Sequence, residues 1–526
     1  MPPNKVADWF FKKTAPIKCD AGSVNSTICD AGKSGERIGG VYNRRLSPLV
    51  IAMPEAFVES LDNEGRGFAR VDGKAIFIEG ALSGEHVEYA SYQCKSRYEQ
   101  AHTIRILRSS SQRVTPRCPH FGTCGGCSMQ HLDASAQTAA KHRVLEDALW
   151  HLAKLKPDVV YPPITGSPWG YRNRAPLSVR HVSKKDGTRV GFREKRSSHV
   201  TEMNSCAVLP PSISNILPGL KVLLEGMSAP ESIPQIEVAI GDAQCVLVLR
   251  HLEPLTAQDK QRLKAFADIN GIVWYLQPGG PDSVRLFYPP DTLPLAYSLP
   301  DFGLNLRFSP TEFTQVNHGV NRVLVRRVMA LLNPAAGEFI ADMFCGLGNF
   351  TLPIASSGAA VVGVEGSKDL VDRARSNAVL NGLDGHCQFK LGNLFDATKE
   401  SLAGMGHFDK MLIDPPRDGA VALVNAIDER GPQRIVYVSC KPSTLARDAA
   451  ILVRHKGYQL RGAGIANMFP HTSHLESIAL FERPSKRATW AALWSLLFVV
   501  LAAIAGKGQQ QLQQIYKHVE NIKVYR

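Results

Sequence analysis

Cysteine is scarce in this sequence, with 11 in 526 residues, and the chain does not open with the short charged-then-apolar segment of a secretory signal. Small secreted domains held together by disulfides contain a far larger share of cysteine, so a disulfide-stabilised scaffold is excluded. We therefore expect a protein of the reducing cytoplasm, where clustered cysteines are metal ligands or nucleophiles rather than bridges.

Acidic residues are outnumbered by basic ones, 48 against 61, which gives a formal net charge of +13. Clustered Lys and Arg gain affinity for polyanions by releasing counterions from phosphates. The charge therefore favours a nucleic-acid partner, with a merely basic surface as the alternative. The hydrophobic and charged fractions, 44% and 21%, are those of a folded soluble protein.

Glycine, proline and apolar runs divide the chain into five segments. We predict a disordered leader, a β-barrel, a central α+β domain, an α/β domain and an atypical hydrophobic extension, over residues 1–50, 51–110, 111–305, 306–484 and 485–526. Within the central domain, apolar residues at helical spacing predict a helix between about Gln137 and Lys156.

Short runs rich in Val, Ile and Phe, separated by glycines, predict the barrel between Ala56 and about Leu107. The stretch GRGFARVDGKAIFIEGALSGEHV resembles the TRAM domain, an OB-like RNA-binding barrel. Basic and aromatic residues that suit phosphate contact and base stacking lie in and just after it. They are Lys95, Arg97, Arg105, Arg108, Arg113, Tyr92 and Tyr98.

Three cysteines, Cys118, Cys124 and Cys127, follow in a Gly-rich loop with the spacing C-x5-C-x2-C. Three thiols so close in sequence are hard to explain as core residues. Four cysteine thiolates hold an iron–sulfur cluster or a structural zinc ion, and Cys206 is the best candidate for the fourth. The spacing leaves both metals open.

From about Phe313 the pattern alternates as βαβ and predicts a Rossmann-like, doubly wound parallel sheet. Its Gly-rich turn, DMFCGLGNF, is not the dinucleotide fingerprint. The next strand ends in Glu365, whose carboxylate could accept hydrogen bonds from ribose hydroxyls. Together with Asn393 and the DPPR segment (414–417), this turn favours S-adenosylmethionine over NAD.

The predicted strand YVSC ends on Cys440. C5 of uracil is a poor nucleophile until something adds to C6, and a cysteine thiolate suits that addition. After methyl transfer the C5 proton must leave, which requires a general base. We assign Cys440 as the nucleophile and Glu476, directly before an apolar strand, as the base. His471 and His474 are second choices for moving protons.

Five motifs together resemble the RNA 5-methyluridine methyltransferase family, and most closely its 23S ribosomal RNA branch, which combines a TRAM domain, a [4Fe–4S] cluster and a methyltransferase domain. The motifs are FTQVN (313–317), DMFCGLGNFTLP (342–353), DPPR (414–417), SCKPSTLARD (439–448) and HTSHLES (471–477). The resemblance implies S-adenosylmethionine-dependent methylation of C5 of a uridine in 23S rRNA. It implies cluster ligands at Cys118, Cys124, Cys127 and Cys206. It also implies methyl-donor contacts at Gln315, Phe344, Asn349, Glu365, Asn393 and Asp414.

Two other functions compete with this one. Methyltransferases acting on a tRNA uridine usually need neither barrel nor cluster, so the presence of both disfavours tRNA. A non-catalytic RNA-binding or folding factor would have a damaged donor site or lack the nucleophile. Related RNA cytosine methyltransferases place a further cysteine beside the proline of DPPR; none stands there, so uracil is favoured.

The stretch 488–506 contains no charge over 19 residues, close to the ~20 needed to span a bilayer as a helix. Lys486 and Arg487 precede it, as a cytoplasmic flank would require. A tail anchor, a packed apolar helix and an altered reading frame or gene fusion are the three interpretations. The high alanine content favours the last two, so we do not expect membrane association.

Overall fold

The computed structural model describes residues 53–182 and 187–484. The predicted leader and the apolar stretch 488–506 therefore lie outside the described residues. Among the helices that are described, none combines the length and the apolar character needed to cross a bilayer.

The first part of the described chain is a six-stranded sheet with the order β1-β5-β6-β4-β3-β2. Its strands are β1 (Glu55–Phe57), β2 (Ser60–Leu61), β3 (Gly67–Val71), β4 (Lys74–Glu79), β5 (His86–Cys94) and β6 (Tyr98–Arg108). Neighbours run antiparallel except β4 and β6, which are parallel. Alternate residues such as Ile76 and Ile78 enclose one buried core, because successive side chains of a strand point to opposite faces. The strands predicted for this region are confirmed.

A long helix, α1 (Ala134–Asp147), follows the cysteine loop and continues as a π-helical segment over Ala148–Ala153. The Asp133 side chain caps its N-terminus by accepting a hydrogen bond from Ser135 N at 2.9 Å. The prediction carried this helix to about Lys156. Lys154 adopts a left-handed backbone conformation, with φ of +53°, and ends it earlier.

The central region holds a second six-stranded sheet, with the order β13-β12-β11-β10-β8-β9. The short strand β7 (Val159–Val160) precedes it in the chain but pairs elsewhere. The sheet consists of β8 (Arg174–Val182), β9 (Gly187–Gly191), β10 (Gln235–Ile240), β11 (Cys245–Arg250), β12 (Val273–Gln277) and β13 (Arg285–Tyr288). Helices α2 (Pro211–Ser214), α3 (Leu217–Glu225) and α4 (Ala257–Asn270) accompany it, and the hairpin β14 (Ala296–Leu299) and β15 (Leu304–Arg307) follows.

The C-terminal region is built on an eight-stranded sheet with the order β18-β17-β16-β19-β20-β22-β21-β7. Its remaining strands are β16 (Phe339–Met343), β17 (Ala360–Glu365), β18 (Cys387–Leu391), β19 (Lys410–Ile413), β20 (Arg434–Ser439), β21 (Gln459–Ala466) and β22 (Glu476–Glu482). The helices are α5 (His318–Leu332), α6 (Thr351–Ala355), α7 (Lys368–Leu380), α8 (Lys399–Ala403), α9 (Val421–Ala426) and α10 (Pro442–Lys456).

Both faces of this sheet are covered. In β16, Ile340 belongs to one apolar core and Ala341 to another, as in a doubly wound sheet whose strands are buried on both sides. The doubly wound α/β fold is therefore confirmed. An all-parallel sheet is wrong for one strand, because β22 runs antiparallel between β20 and β21. As a result β22 begins at the edge where the parallel strands end.

Candidate active site

Neighbouring parallel strands end side by side at this edge. Asp414 N, just after β19, donates to Met343 O at 3.1 Å, and Phe344 N donates to Val364 O at 2.9 Å. The turn after β16 then makes three left-handed steps, with φ of +68° at Phe344, +55° at Gly346 and +98° at Gly348. Glycine adopts such angles without a steric penalty, so the predicted donor turn has a definite backbone requirement.

Glu365, at the end of β17, stabilises this turn through hydrogen bonds. Its Oε2 accepts a hydrogen bond from Gly346 N at 3.1 Å, and its Oε1 accepts one from Ser367 N at 3.0 Å. A carboxylate has about four acceptor positions. Two therefore remain on Glu365 for hydroxyl groups of a ligand, which fits the role predicted for this residue.

Asp342, the last but one residue of β16, is fully buried. Thr351 Oγ1 donates to its Oδ2 at 2.6 Å, while its Oδ1 has no partner among the described residues. Burial raises the pKa of this carboxyl to about 7, with Glu365 adding to the shift and the Thr351 hydrogen bond opposing it. A half-satisfied buried acid beside the donor turn suits a ligand that carries positive charge.

Two other predicted donor contacts, Asn349 and Asn393, already use their side chains in hydrogen bonds within the protein. Asn349 exchanges two hydrogen bonds with Asn321, at 2.8 and 3.1 Å, and also accepts one from Tyr297 Oη at 2.9 Å. Asn393 caps a 3-10 turn by accepting from Phe395 N at 3.2 Å. Asn349 thus has a structural engagement that its sequence motif did not reveal.

Two further predicted donor contacts, Phe344 and Gln315, are half-buried. The rings of Phe344 and Phe395 lie 5.7 Å apart and tilted, and Phe395 is exposed. Gln315 lies half-buried in the segment between β15 and α5. Val316, its neighbour, accepts a hydrogen bond from Asn173 N through its carbonyl at 2.8 Å. The FTQVN motif is thereby joined to the central region.

The predicted nucleophile and base are neighbours across two adjacent strands. Ser439, the last residue of β20, pairs with Ser477 of β22, and Ser477 Oγ donates to Ser439 O at 2.9 Å. Cys440 follows the first of these residues and Glu476 precedes the second. Antiparallel pairing therefore brings a thiol and a carboxyl together at the edge that also carries Asp414.

The same surroundings raise the pKa of all three groups. The pKa of Cys440 is raised to about 12 by burial and by Glu476 and Asp414, with Arg417 opposing. Burial and Asp414 raise the pKa of Glu476 well above its ordinary value. Burial, followed by the charge of Asp342, raises that of Asp414 to about 7. The ligand-free site therefore disfavours the ionised form of all three groups, and a bound cation would favour it.

Neither predicted histidine alternative titrates near neutral pH. His471 is buried and stacks on Trp169 with ring centroids 3.8 Å apart, and burial lowers its pKa to about 4. Desolvation and the cations Arg417 and Lys141 lower the pKa of His474 to about 4 as well. Arg417 Nη2 lies 3.4 Å from His474 Nδ1. Both rings are therefore neutral at pH 7, and their surroundings suit positioning.

The four predicted cysteine ligands line a single cavity. None of them is in a disulfide, and Gly126 N lies 3.4 Å from Cys124 Sγ as a hydrogen-bond donor. The pKa of Cys127 is raised to about 12 by burial, with the other three thiols adding to the shift. In the described residues no group of three or more His, Cys, Asp or Glu side chains has the geometry of a single-ion site. The cavity is lined by Cys118, Cys124, Cys127, Cys206, His120, Phe121, Gly126, Gln130, Phe192, Met203 and Val208.

Comparison with known proteins identifies the family of this chain. Residues 134–484 match the model of the tRNA (uracil-5-)-methyltransferase family, and residues 55–88 match that of the TRAM domain. The chain belongs to the tRNA (uracil-5-)-methyltransferase family. The family predicted from the five motifs and the predicted TRAM domain are thus confirmed.

Two curated relatives of this methyltransferase carry the name 23S rRNA (uracil(1939)-C(5))-methyltransferase RlmD. They come from Aromatoleum aromaticum and Dechloromonas aromatica and are 59% and 57% identical over 432 residues, which is 82% of this chain and all of each relative. The solved structure of Pyrococcus abyssi tRNA (uracil-54, C5)-methyltransferase in complex with S-adenosyl-L-homocysteine shares the fold. Its TM-score is 0.63 at 24% identity, covering 81% of this chain and 99% of that one.

Sequence reasoning missed some residues of this methyltransferase site. Asp342 stands inside the DMFCGLGNF motif, and an acid at a strand end before a Gly-rich turn was an available signal. Arg417 was named only as the end of DPPR, yet its positive charge opposes the rise in the pKa of both Cys440 and Glu476. No local pattern marked it, because its relevance comes from strands that meet only in the folded sheet.

Proposed function

We propose that this enzyme methylates C5 of a uridine in 23S rRNA, in the cytoplasm, with S-adenosylmethionine as methyl donor. The observation that carries the proposal is the pairing of Ser439 with Ser477, which sets Cys440 beside Glu476 at the end of β20, two strands from the donor-turn strand β16. The names of the relatives, 57–59% identical to this chain, support the same substrate.

Cys440 begins the reaction by forming a bond from its Sγ to C6 of the uracil. The electron pair of the C5–C6 double bond becomes an enolate, and C5 then takes the methyl group. Glu476 removes the proton from C5, the double bond re-forms, and the Cys440 thiolate is expelled. The balance is one methyl group passed from S-adenosylmethionine to C5, which leaves S-adenosylhomocysteine, and one proton released from C5.

S-adenosylmethionine supplies an electrophilic methyl group on a positively charged sulfur. The residues present suit it: Glu365 has free acceptor positions beside the donor turn, and Asp342 has a buried oxygen without a partner among the described residues. Positive charge near Asp414, Glu476 and Cys440 would lower their pKa values, since an opposite charge favours the ionised form. Donor binding would thereby prepare both the thiolate and the base.

Cys118, Cys124, Cys127 and Cys206 would hold a [4Fe–4S] cluster. The cavity they share and the N–H of Gly126 directed at Cys124 Sγ fit such a group. When bound, the cluster would cross-link the loop to the segment that carries Cys206. Iron and sulfide analysis after anaerobic purification tests this, and stoichiometric zinc would overturn it.

Trapping on RNA that contains 5-fluorouridine tests the reaction. Fluorine at C5 cannot leave as a cation, so the enzyme should remain covalently bound to the RNA. The target is the uridine equivalent to position 1939, as named for the relatives. Cys440→Ala should abolish trapping, whereas Cys387→Ala, which changes a cysteine at the opposite edge of the same sheet, should not.

Three results would contradict the proposal. Trapping by Cys440→Ala would exclude it as the nucleophile. Methylation of tRNA but not of the 23S fragment would show the tRNA alternative to be right. RNA binding without any methyl transfer would favour the non-catalytic factor.

A further inference from the structure

The loop between β21 and β22, residues 467–475, leads directly into Glu476, and residues more than 290 positions earlier in the chain hold it. Three consecutive carbonyls of this loop accept hydrogen bonds from that earlier part. Lys141 Nζ donates to Phe469 O at 2.8 Å, and Tyr171 Oη donates to Pro470 O at 2.8 Å. Ser128 N and Met129 N donate to His471 O at 2.9 and 3.0 Å.

Gln137, in α1, makes hydrogen bonds both to the 467–475 loop and to the residues just before α1. It is buried, its Oε1 accepts from His471 N at 2.8 Å, and its Nε2 lies 3.1 Å from His471 Nδ1. The same Nε2 donates to Met129 O and Leu132 O, at 3.0 and 2.7 Å. His471 itself has φ of +65°, a left-handed conformation that a residue with a Cβ keeps only when its surroundings impose it.

Lys141 lies one helical turn beyond Gln137 on the same face of α1, as residues four apart do. It is buried, and its Nζ also donates to Asn467 Oδ1 at 2.7 Å. The two side chains therefore hold the loop at two places: Lys141 bonds its beginning, and Gln137 bonds the left-handed residue His471. Cys127 immediately precedes Ser128, whose N–H donates to His471 O, so the cysteine loop also contacts the 467–475 loop.

Beyond His471 the loop reaches the reacting groups. His474 lies against Arg417 at 3.4 Å, and Arg417 is the cation that acts on Glu476 and Cys440. Strand pairing fixes the backbone of Glu476 from the β22 side. The loop determines how the chain enters that residue.

We propose that Gln137 and Lys141 are positioning residues that hold the 467–475 loop so that Glu476 can take the C5 proton. This inference rests on the proposed function. It concerns the second half of the reaction. Loss of the hydrogen bonds from Gln137 and Lys141 should displace the base, Glu476. Cys440 follows a different strand and should still be able to attack C6.

The test separates the two halves of the reaction in one preparation of the full-length protein. A 23S rRNA fragment carrying [5-³H]uridine reports proton removal as tritium released, and labelled S-adenosylmethionine reports methyl transfer in a single turnover. Gln137→Leu and Lys141→Met should each slow tritium release by about tenfold or more, because small misplacements of a catalytic group are costly. First-turnover methyl transfer should stay within about twofold of wild type, and a covalent RNA–protein complex should accumulate on natural uridine.

Arg143→Ala is the matched control, since Arg143 lies on the exposed side of α1 and pairs there with Asp147. It should behave as wild type. Equal slowing of both steps would show a merely structural role and overturn the inference, as would wild-type tritium release. If Gln137→Leu does not fold, Lys141→Met removes a different bond to the same loop and decides alone. Absence of tritium release by the wild-type enzyme would contradict the proposed function itself.

Discussion

Cys440 and Glu476 stand next to each other because Ser439 and Ser477 are paired across β20 and β22. The pairing is reinforced by the hydrogen bond from Ser477 Oγ to Ser439 O at 2.9 Å. The proposed nucleophile, just after one strand, and the proposed base, at the start of its antiparallel neighbour, thus lie at the same end of the sheet.

Glu476→Gln keeps the shape of the base but removes its ability to accept the C5 proton. We expect turnover to fall by about 10²- to 10⁴-fold, the usual contribution of a general base, while the Cys440 adduct still forms. Denaturing electrophoresis should show a covalent complex with natural RNA. Adding Cys440→Ala should remove that complex, and wild-type turnover by Glu476→Gln would show that another group is the base.

Asp414 should make donor binding depend on pH. Its pKa is raised to about 7 by burial and by Asp342, so it is largely protonated at pH 6 and ionised at pH 8. Ionisation adds negative charge beside a cationic donor, and we expect the Kd of S-adenosylmethionine to fall by up to about tenfold over that range.

Calorimetric titration at both pH values measures this effect. S-adenosylhomocysteine, whose sulfur is neutral, is the matched ligand and should respond less. Asp414→Asn should weaken the pH dependence for S-adenosylmethionine, and Asp342, whose pKa burial also raises to about 7, should account for what remains. An equal response to both ligands would assign the effect to something other than the sulfonium charge.

Gly346→Ala tests the left-handed step in the donor turn. Among the residues that the structure describes, nothing lies within 4 Å of a Cβ placed there, so the cost is conformational and amounts to about 1–2 kcal/mol. We expect weaker donor binding or a lower melting temperature of the ligand-free protein. Gly385→Ala, also in open space but without a left-handed φ, is the control and should change neither. Unchanged behaviour of Gly346→Ala would show that the turn tolerates another conformation.

His318 should contribute to loss of stability in acid. It is buried beside Tyr297, with ring centroids 5.1 Å apart, and burial lowers its pKa from 6.5 to about 4. The unfolded chain therefore binds the proton more readily, so this contribution is complete above pH 6.5 and is lost as pH falls toward 4. The slope is about 1.4 kcal/mol per pH unit.

Urea unfolding midpoints between pH 7 and pH 4.5 measure this contribution. His318→Phe should reduce the dependence of the midpoint on pH. His151→Phe, at an exposed position, should leave it unchanged. An unaltered slope in His318→Phe would mean that the folded protein accommodates the charged ring.

The sequence was informative wherever the signal was local. The alternation from Phe339 to Glu365 predicted strand, Gly-rich turn and helix, because burial on both faces and the left-handed turn each demand particular residue types. The resemblance of five motifs likewise indicated the family, and the chemistry of uracil methylation pointed to Cys440 and Glu476 before either had a position in space. The roles of these two residues and of the four cysteines remain predictions, although the structure brings each group together.

What only the tertiary structure decided depends on contacts between distant parts of the chain. Three such features leave no periodic pattern in the sequence. They are the antiparallel insertion of β22, the Asp342 oxygen that has no partner among the described residues, and the hydrogen bonds of Gln137 and Lys141 to the 467–475 loop. A buried polar residue reads like any other until its partner is known, since hydrogen bonds between residues some 330 positions apart are set by packing and not by local spacing. By itself the sequence determined which groups could do the chemistry; the fold decided which of them meet and what holds them there.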